Sequence, residues 1–526
     1  MSCLRPRTAL LVTFLASAAF GQPVARTANG TVRGVTLPSG IALYRGIPFA
    51  APPVGDLRWR PPAPAPSWKG VRPATRFAPQ CMQWRVYSDM MFRNSGMSED
   101  CLYLNVWTPA PTSRGKLPVL FYIYGGGFTA GDGSEFRYDG ENMAKRGIVV
   151  VTMSYRLGIF GYFAHPALAA ESRAHASGNY GLMDQVAALK WVKANIARFG
   201  GDAARVTIAG ESAGSMSVSA LMASPMTKGL FAGAIGESGA AFGPSFAPTS
   251  RAAAEHNGEL FASAIAKPTL AELRSLSAFE LLTQSAEDGR PPFFPSVDGA
   301  FLPEFPEAIF ARGAQAKVPL LAGWNSEEQS GLPQLPVPST DAYVALLNKL
   351  FGARAADALA AYPASTPEQA ARMSTAIASD QWISYATWSW LEAHANAGQP
   401  VYRYYYSRAR TPVAPRRSRG VPLNLWDSLP RGASHSAEIE YAMGNLDRNP
   451  VWLWTAGDRK VSTTMMDYFE NFVKTGNPNG PTVPTWPLGR ADASGTTMRM
   501  RIDVDARAEP EPRAQYLFLK SFYSRP

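Results

Sequence analysis

Ser212 lies in Gly210-Glu211-Ser212-Ala213-Gly214, directly between the apolar run Val206-Thr207-Ile208-Ala209 and a helical pattern that starts near Ser215. A strand-to-helix turn this tight leaves room only for small flanking side chains and pushes the serine to a strained apex with its hydroxyl exposed, the arrangement of a nucleophile elbow. The start of the following helix adds partial positive charge beside an anion that develops there. A serine hydroxyl is a weak nucleophile until a base takes its proton, and on this kind of turn the base follows the serine and an acid in chain order. Only five histidines are available. His165 and His175 precede Ser212, His256 falls in an Ala/Glu-rich helical stretch ahead of the expected acid, and His394 lies on an expected helix over 386–397. His435 remains, in the glycine-containing loop Arg431-Gly432-Ala433-Ser434-His435-Ser436-Ala437-Glu438 after the last apolar strand, with His394 as its rival. The acid is expected just after the run 318–323, where Glu327 and Glu328 are adjacent and the residues alone leave the choice open. Gly125-Gly126-Gly127-Phe128, after the run 117–124, supplies backbone N–H groups that no side chain screens, and the N–H of Ala213 is the remaining donor to an oxyanion.

For these residues to meet, one scaffold must hold positions 125 to 435. The runs 117–124, 148–155, 206–210, 231–236, 318–323 and 401–406 are short, apolar and rich in β-branched or aromatic residues, and are predicted strands. Residues 184–198 and 212–222 repeat apolar positions at three- and four-residue spacing, and are predicted helices. Strands alternating with helices predict an α/β fold with a mostly parallel central sheet flanked by helices. Residues 241–303 and 332–399 read as helical insertions, because each returns to a strand that continues the alternation. Trp382, Tyr385, Trp388 and Trp390, inside the second insertion, read as packing aromatics, with a place at the border of the substrate gorge as the alternative.

The whole chain, 526 residues at 46% hydrophobic and 17% charged, can bury a large core. A formal charge of +10 without a basic block interleaved with aromatics points away from a nucleic-acid surface. Three dispersed cysteines do not make a Cys/His zinc framework, and the serine chemistry above requires no metal or organic cofactor. The arginines at 408, 410, 416, 417 and 419 read as a solvated surface segment, with attraction of anionic esters to the mouth of the site as the alternative. At the N-terminus, Arg5 and Arg7 precede an apolar stretch over 9–20, with Ala19 and Gly21 where a signal peptidase wants small residues. Residues 1–21 therefore read as a secretory leader cut between Gly21 and Gln22, leaving 22–526 as a single catalytic domain of charge 10 − 2 = +8, secreted or periplasmic. The apolar stretch is short of the roughly 18–20 residues a bilayer span needs and no later stretch is long enough, so no stable membrane insertion is expected. In an oxidising compartment the remaining pair, Cys81 and Cys101, suggests one disulfide, closing a loop rich in Met, Trp and Tyr.

Tyr44-Arg45-Gly46-Ile47-Pro48-Phe49-Ala50, Ser98-Glu99-Asp100-Cys101-Leu102-Tyr103-Leu104-Asn105-Val106, Tyr124 to Phe128, Asn179-Tyr180-Gly181-Leu182-Met183-Asp184-Gln185 and Gly210 to Gly214 together resemble the type-B carboxylesterases, the cholinesterase-like branch of the α/β-hydrolases. The resemblance covers nearly all of the expected mature chain. It implies the α/β-hydrolase fold, and hydrolysis of a small-molecule ester through an acyl-enzyme on Ser212. By its pattern G-x-N-x-[DE]-E the acid is Glu328, with Glu327 as neighbour; by G-A-x-H-x-x-E the base is His435; Gly126, Gly127 and Ala213 hold the oxyanion, and Glu211 stands near the site. The resemblance also implies a Cys81–Cys101 disulfide and the structural ion pairs Arg45 with Glu99 and Arg156 with Asp184. Where cholinesterases carry a tryptophan for a quaternary ammonium, counting back from Cys101 places Met91, which argues against choline esters. A non-catalytic recognition domain, or an amidase, lactonase or transesterase, are the alternatives on the same scaffold. The base must be neutral to accept a proton, so activity is expected to fall as pH drops through an ordinary imidazole value of roughly 6 to 7.

Overall fold

A computed structural model describes residues 22–109, 116–329, 334–412, 432–491 and 495–524. The expected leader, 1–21, and the arginines at 416, 417 and 419 lie outside the described residues. Among the described residues no helix is long and apolar enough to cross a membrane.

The predicted strands pair into a central sheet of eleven: β1 (Val35–Thr36), β2 (Ala42–Pro48), β3 (Tyr103–Thr108), β4 (Leu117–Ile123), β5 (Val149–Met153), β6 (Gly201–Glu211), β7 (Gly233–Glu237), β8 (Leu320–Asn325), β9 (Val401–Tyr406), β10 (Met498–Ile502) and β11 (Arg507–Pro510). Their spatial order is β11-β10-β9-β8-β7-β6-β4-β5-β3-β2-β1. The seven from β10 to β5 run parallel, and the strands beyond them at either edge pair antiparallel. Helices cover both faces of a parallel sheet, so its central strands are apolar on both sides; every residue of β5, Val-Val-Val-Thr-Met, is buried. This is the α/β-hydrolase architecture, with helical excursions between β7 and β8 and between β8 and β9.

The predicted strand over 401–406 coincides with β9. The predicted helix over 184–198 begins earlier, as α1 (Tyr180–Asn195), and ends in a tighter turn over Ile196–Phe199. Periodicity missed that start because most of α1 is buried, so no clean amphipathic stripe marks its first turn. β6 likewise reaches back to Gly201, past a register irregularity before Val206 that hides the strand pattern.

Cys81 and Cys101 are disulfide-bonded across a Cα–Cα distance of 5.0 Å. Arg156 and Asp184 form the expected pair, at 2.8 Å and buried. The expected Arg45–Glu99 pair does not form. Glu99 is held by Arg58, which donates from Nε at 2.7 Å and Nη2 at 2.6 Å and also bonds the carbonyl of Leu276 at 2.8 Å. Arg45 instead donates to the carbonyl of Thr75 and lies over the Phe77 ring. Proximity in sequence pattern could not tell one arginine from another thirteen residues on; the fork geometry and the near-complete burial of Arg58 decide it. Breaking a buried pair leaves one charge bare, so Arg58→Met lowers the free energy of unfolding in urea by about 3–5 kcal/mol. Arg45→Met, which strands no carboxylate, costs about 1 kcal/mol. Equal losses in the two variants would show that Arg58–Glu99 is not a structural pair.

Candidate active site

Ser212 sits where β6 ends and α2 (Ala213–Ala223) begins, with φ 55° and ψ −122°. A non-glycine residue in this region is strained, and the surroundings over-determine it. The Ser212 N–H donates to the Glu237 carbonyl at 2.8 Å, and the Ser212 carbonyl accepts from Met216 at 2.9 Å as the first bond of α2. The small residues of the motif are required by close approach: a Cβ on Gly210 would lie 2.6 Å from the Ile123 carbonyl oxygen, and one on Gly214 would lie 2.1 Å from it.

His435 Nε2 lies 2.9 Å from Ser212 Oγ, and its Nδ1 lies 2.7 Å from Glu328 Oε2. Glu328 enters from the turn after β8, its Oε1 accepting the Asn325 N–H at 2.6 Å. The histidine loop is tied to the same turn: Glu327 N–H donates to the Ala433 carbonyl at 2.8 Å and Asn325 Nδ2 to the Ser434 carbonyl at 2.8 Å. Thus β6, β8 and the loop after β9 bring three residues spread over more than two hundred positions into one line. Glu327 faces the histidine loop through its backbone, packing its side chain against Gly432. The rival His394 is buried far from this line, with Nε2 at 2.8 Å from the Val318 carbonyl and Nδ1 beside Gln315.

Gly126 and Gly127 follow β4 with φ 107° and 63°, backbone that a side chain rarely adopts. The Gly126 carbonyl accepts from Thr129 and Ala130 N–H at 3.1 and 3.0 Å, which turns the N–H of Gly127, on the same planar peptide, to the opposite side. Both glycines line the pocket that holds Ser212 and His435. Ala213, first in α2, has an N–H that no intrahelical acceptor can take.

A group of buried carboxylates surrounds the histidine. Glu211 Oε1 lies 3.2 Å from His435 Nε2. Burial pushes Glu211 up to about 8 against the pull of His435. Burial alone would lower the imidazole, but the Glu211 charge and the Glu328 hydrogen bond outweigh it and hold His435 above the ordinary range. The side chain still has 22% of its surface open, which moderates the effect without reversing it. Behind them, Glu438 accepts from Ser238 Oγ at 3.1 Å and from Asn325 Nδ2, and Glu237 accepts from Tyr122 at 3.2 Å. Burial raises Glu438 to about 7, with the Glu328 charge adding to it, and raises Glu237 well above the carboxylate range. Sequence reasoning missed Glu237 as a neighbour of this site; nothing in the local pattern distinguishes a glutamate ending a buried strand from one at the surface.

The pocket in front of Ser212 has a volume of about 470 Å³. The Cys81–Cys101 loop contributes Tyr87, Asp89 and Met90, while Met91, expected to face the pocket, is solvent-exposed instead. Trp382 takes the alternative to packing, a place at the border of the pocket, with its ring 4.7 Å edge-on from His435. Its neighbours Tyr385, Trp388 and Trp390 are buried as expected. Of the arginine segment, Arg408 and Arg410 are committed to Asp458 and Glu440.

Residues 21–517 match the carboxylesterase family. The chain is 38% identical over 480 residues to a fumonisin B1 esterase of Sphingopyxis macrogoltabida, covering 88% of this chain and 84% of that one. It is 36% identical over 481 residues to a para-nitrobenzyl esterase of Bacillus subtilis, covering 88% and 92%. Among solved structures, a carboxylesterase of Geobacillus stearothermophilus superposes with a TM-score of 0.78 at 30% identity, covering 96% of this chain and 100% of that one. A serine aligned with a histidine and a glutamate on this sheet is what that family's chemistry needs, and the chain belongs to the carboxylesterase family, the serine ester hydrolases of the α/β-hydrolase fold.

Proposed function

We propose that Ser212, His435 and Glu328 carry this ester hydrolysis, on small-molecule esters that fit the pocket. The unbroken line of hydrogen bonds from Ser212 Oγ through the imidazole to Glu328 supports the reading most directly. Ser212 Oγ attacks the ester carbonyl carbon while His435 Nε2 takes its proton. The N–H groups of Gly126, Gly127 and Ala213 hold the oxyanion. As the intermediate collapses, His435 gives its proton to the leaving alcohol, and water repeats the cycle on the acyl-enzyme to release the acid. Glu328 keeps the imidazole proton on Nδ1 and stabilises the imidazolium. A pocket of about 470 Å³ suits a ligand of drug size, in keeping with relatives named for fumonisin B1 and for para-nitrobenzyl esters. We further propose that the protein works as one catalytic domain, residues 22–526, in a secreted or periplasmic setting after loss of 1–21, a reading the formed disulfide supports.

The test is the rate at which a fluorophosphonate labels the protein, mapped by mass spectrometry and followed against pH. Label falls on Ser212, and the rate requires neutral His435. Because two carboxylates stabilise the imidazolium, the acid limb lies above the ordinary imidazole value of about 6.5. In Glu211→Gln one anion is gone, the imidazolium is less favoured, and the limb moves to lower pH by about one unit. Label elsewhere, or a limb that stays put or moves upward, contradicts the assignment.

A further inference from the structure

Among the described residues lining the pocket, Arg137 is the one permanently charged cation. It is 2% exposed, on the short turn Phe136–Tyr138. Its Nε is bonded to the Glu135 carboxylate, and its Nη1 lies 3.1 Å from Asp89 Oδ2 and 3.5 Å from the Oγ of Ser436, the residue after His435. Among the described residues these bonds fall on Nε and Nη1 and none falls on Nη2, although a guanidinium offers five N–H donors and Arg137 lines the pocket. The edge formed by Nη1 and Nη2 is the one that binds a carboxylate in fork fashion, and here it is half used. The two carboxylates around Arg137 differ in freedom. Glu135 is fully buried, whereas Asp89 stands on the Cys81–Cys101 loop with 39% of its side chain exposed.

We propose that Arg137 is the specificity-determining anchor of the pocket, binding through Nη1 and Nη2 a carboxylate carried by the ester substrate on its acyl or its alcohol arm, in exchange for Asp89. The preferred substrates are then half-esters and other carboxylate-bearing esters. Glu135 stays on Nε throughout, so the incoming carboxylate replaces a charge at the guanidinium and adds none. Ser436 Oγ is placed to accept from the same Nη1, which sets the anchored group one residue from the base. This rests on the reading of Ser212 as nucleophile, and the readout is a ratio in which that reading cancels.

Two matched ester pairs serve as probes: mono-para-nitrophenyl glutarate against para-nitrophenyl butyrate, with the carboxylate on the acyl arm, and 4-acetoxybenzoate against phenyl acetate, with it on the alcohol arm. For each variant kcat/KM of the carboxylate ester is divided by that of its neutral partner. Asp89→Asn removes the competing carboxylate and raises the ratio about tenfold in at least one pair; Arg137→Gln lowers it about tenfold in the same pair. In the double variant Asp89→Asn brings no rise, because the anchor is gone. An unchanged ratio in both pairs, or an equal rise with and without Arg137, overturns the proposal, the latter showing only that a negative charge left the pocket mouth. Should Arg137→Gln fail to fold, Asp89→Asn in about 0.5 M salt decides: a contact on Arg137 keeps most of the rise, whereas repulsion across solvent is screened within a few ångströms, and its disappearance overturns the anchor. Failure of the Ser212 assignment would instead leave fluorophosphonate label on another residue, whatever the ratios.

Discussion

Ser212→Ala lowers kcat for short-chain aryl esters by about 10⁴- to 10⁶-fold, with loss of fluorophosphonate labelling and a urea midpoint close to that of the parent protein. The chemical loss is large because alanine has no atom to form the acyl-enzyme, and the remaining N–H donors can only stabilise attack by water. The structural cost is small. The strained backbone at this position, φ 55°, burdens serine and alanine alike, and its N–H and carbonyl bonds to Glu237 and Met216 do not involve the side chain. The hydroxyl has His435 as its partner, in a pocket where water can replace it. Activity within tenfold of the parent would refute the nucleophile assignment.

Glu328→Gln lowers kcat by about 10³- to 10⁴-fold, while Glu327→Gln changes it less than about threefold. The carboxylate has two fixed duties: Oε1 accepts the Asn325 N–H and Oε2 accepts from His435 Nδ1. An amide has one acceptor and one donor, and the Asn325 backbone can only donate. The amide oxygen must therefore face Asn325, which turns the NH₂ group toward Nδ1 and forces the imidazole proton onto Nε2. In that tautomer the ring presents a donor to Ser212 Oγ and cannot take its proton. Glu327 engages the histidine loop through its backbone N–H to Ala433, and glutamine has the same N–H. Comparable losses in both variants, or the larger loss at position 327, would show that the neighbour has been mistaken for the acid.

The elbow, the glycine-rich turn and the alternating strands were legible in the sequence because each is dictated over a few neighbouring residues. A turn between β6 and α2 tolerates only small residues beside Ser212, and parallel strands buried on both faces must be apolar throughout. His435 was also largely legible, since only five histidines exist, two precede Ser212 and one falls ahead of the expected acid, which left His394 as its rival until the structure placed that ring against Gln315 and the Val318 carbonyl. The choice between Glu327 and Glu328 needed either the family pattern or the coordinates. Neighbouring residues on a turn diverge by which way each side chain points, and the bond from Glu328 to the Asn325 N–H settles that only when β8 is in place.

What tertiary structure alone decided are the contacts between segments distant in the chain. Arg58 holds Glu99 where Arg45 was expected, Met90 faces the pocket and Met91 does not, and Trp382 leaves the packing aromatics to stand against His435. The carboxylates Glu211, Glu237 and Glu438 come from two strands and a loop, and their shared burial shifts their protonation and that of His435. A residue's type and its near neighbours set its conformation and its intrinsic chemistry. Its electrostatic surroundings are set by groups up to about two hundred positions away, and those exist only once the sheet has brought them within a few ångströms.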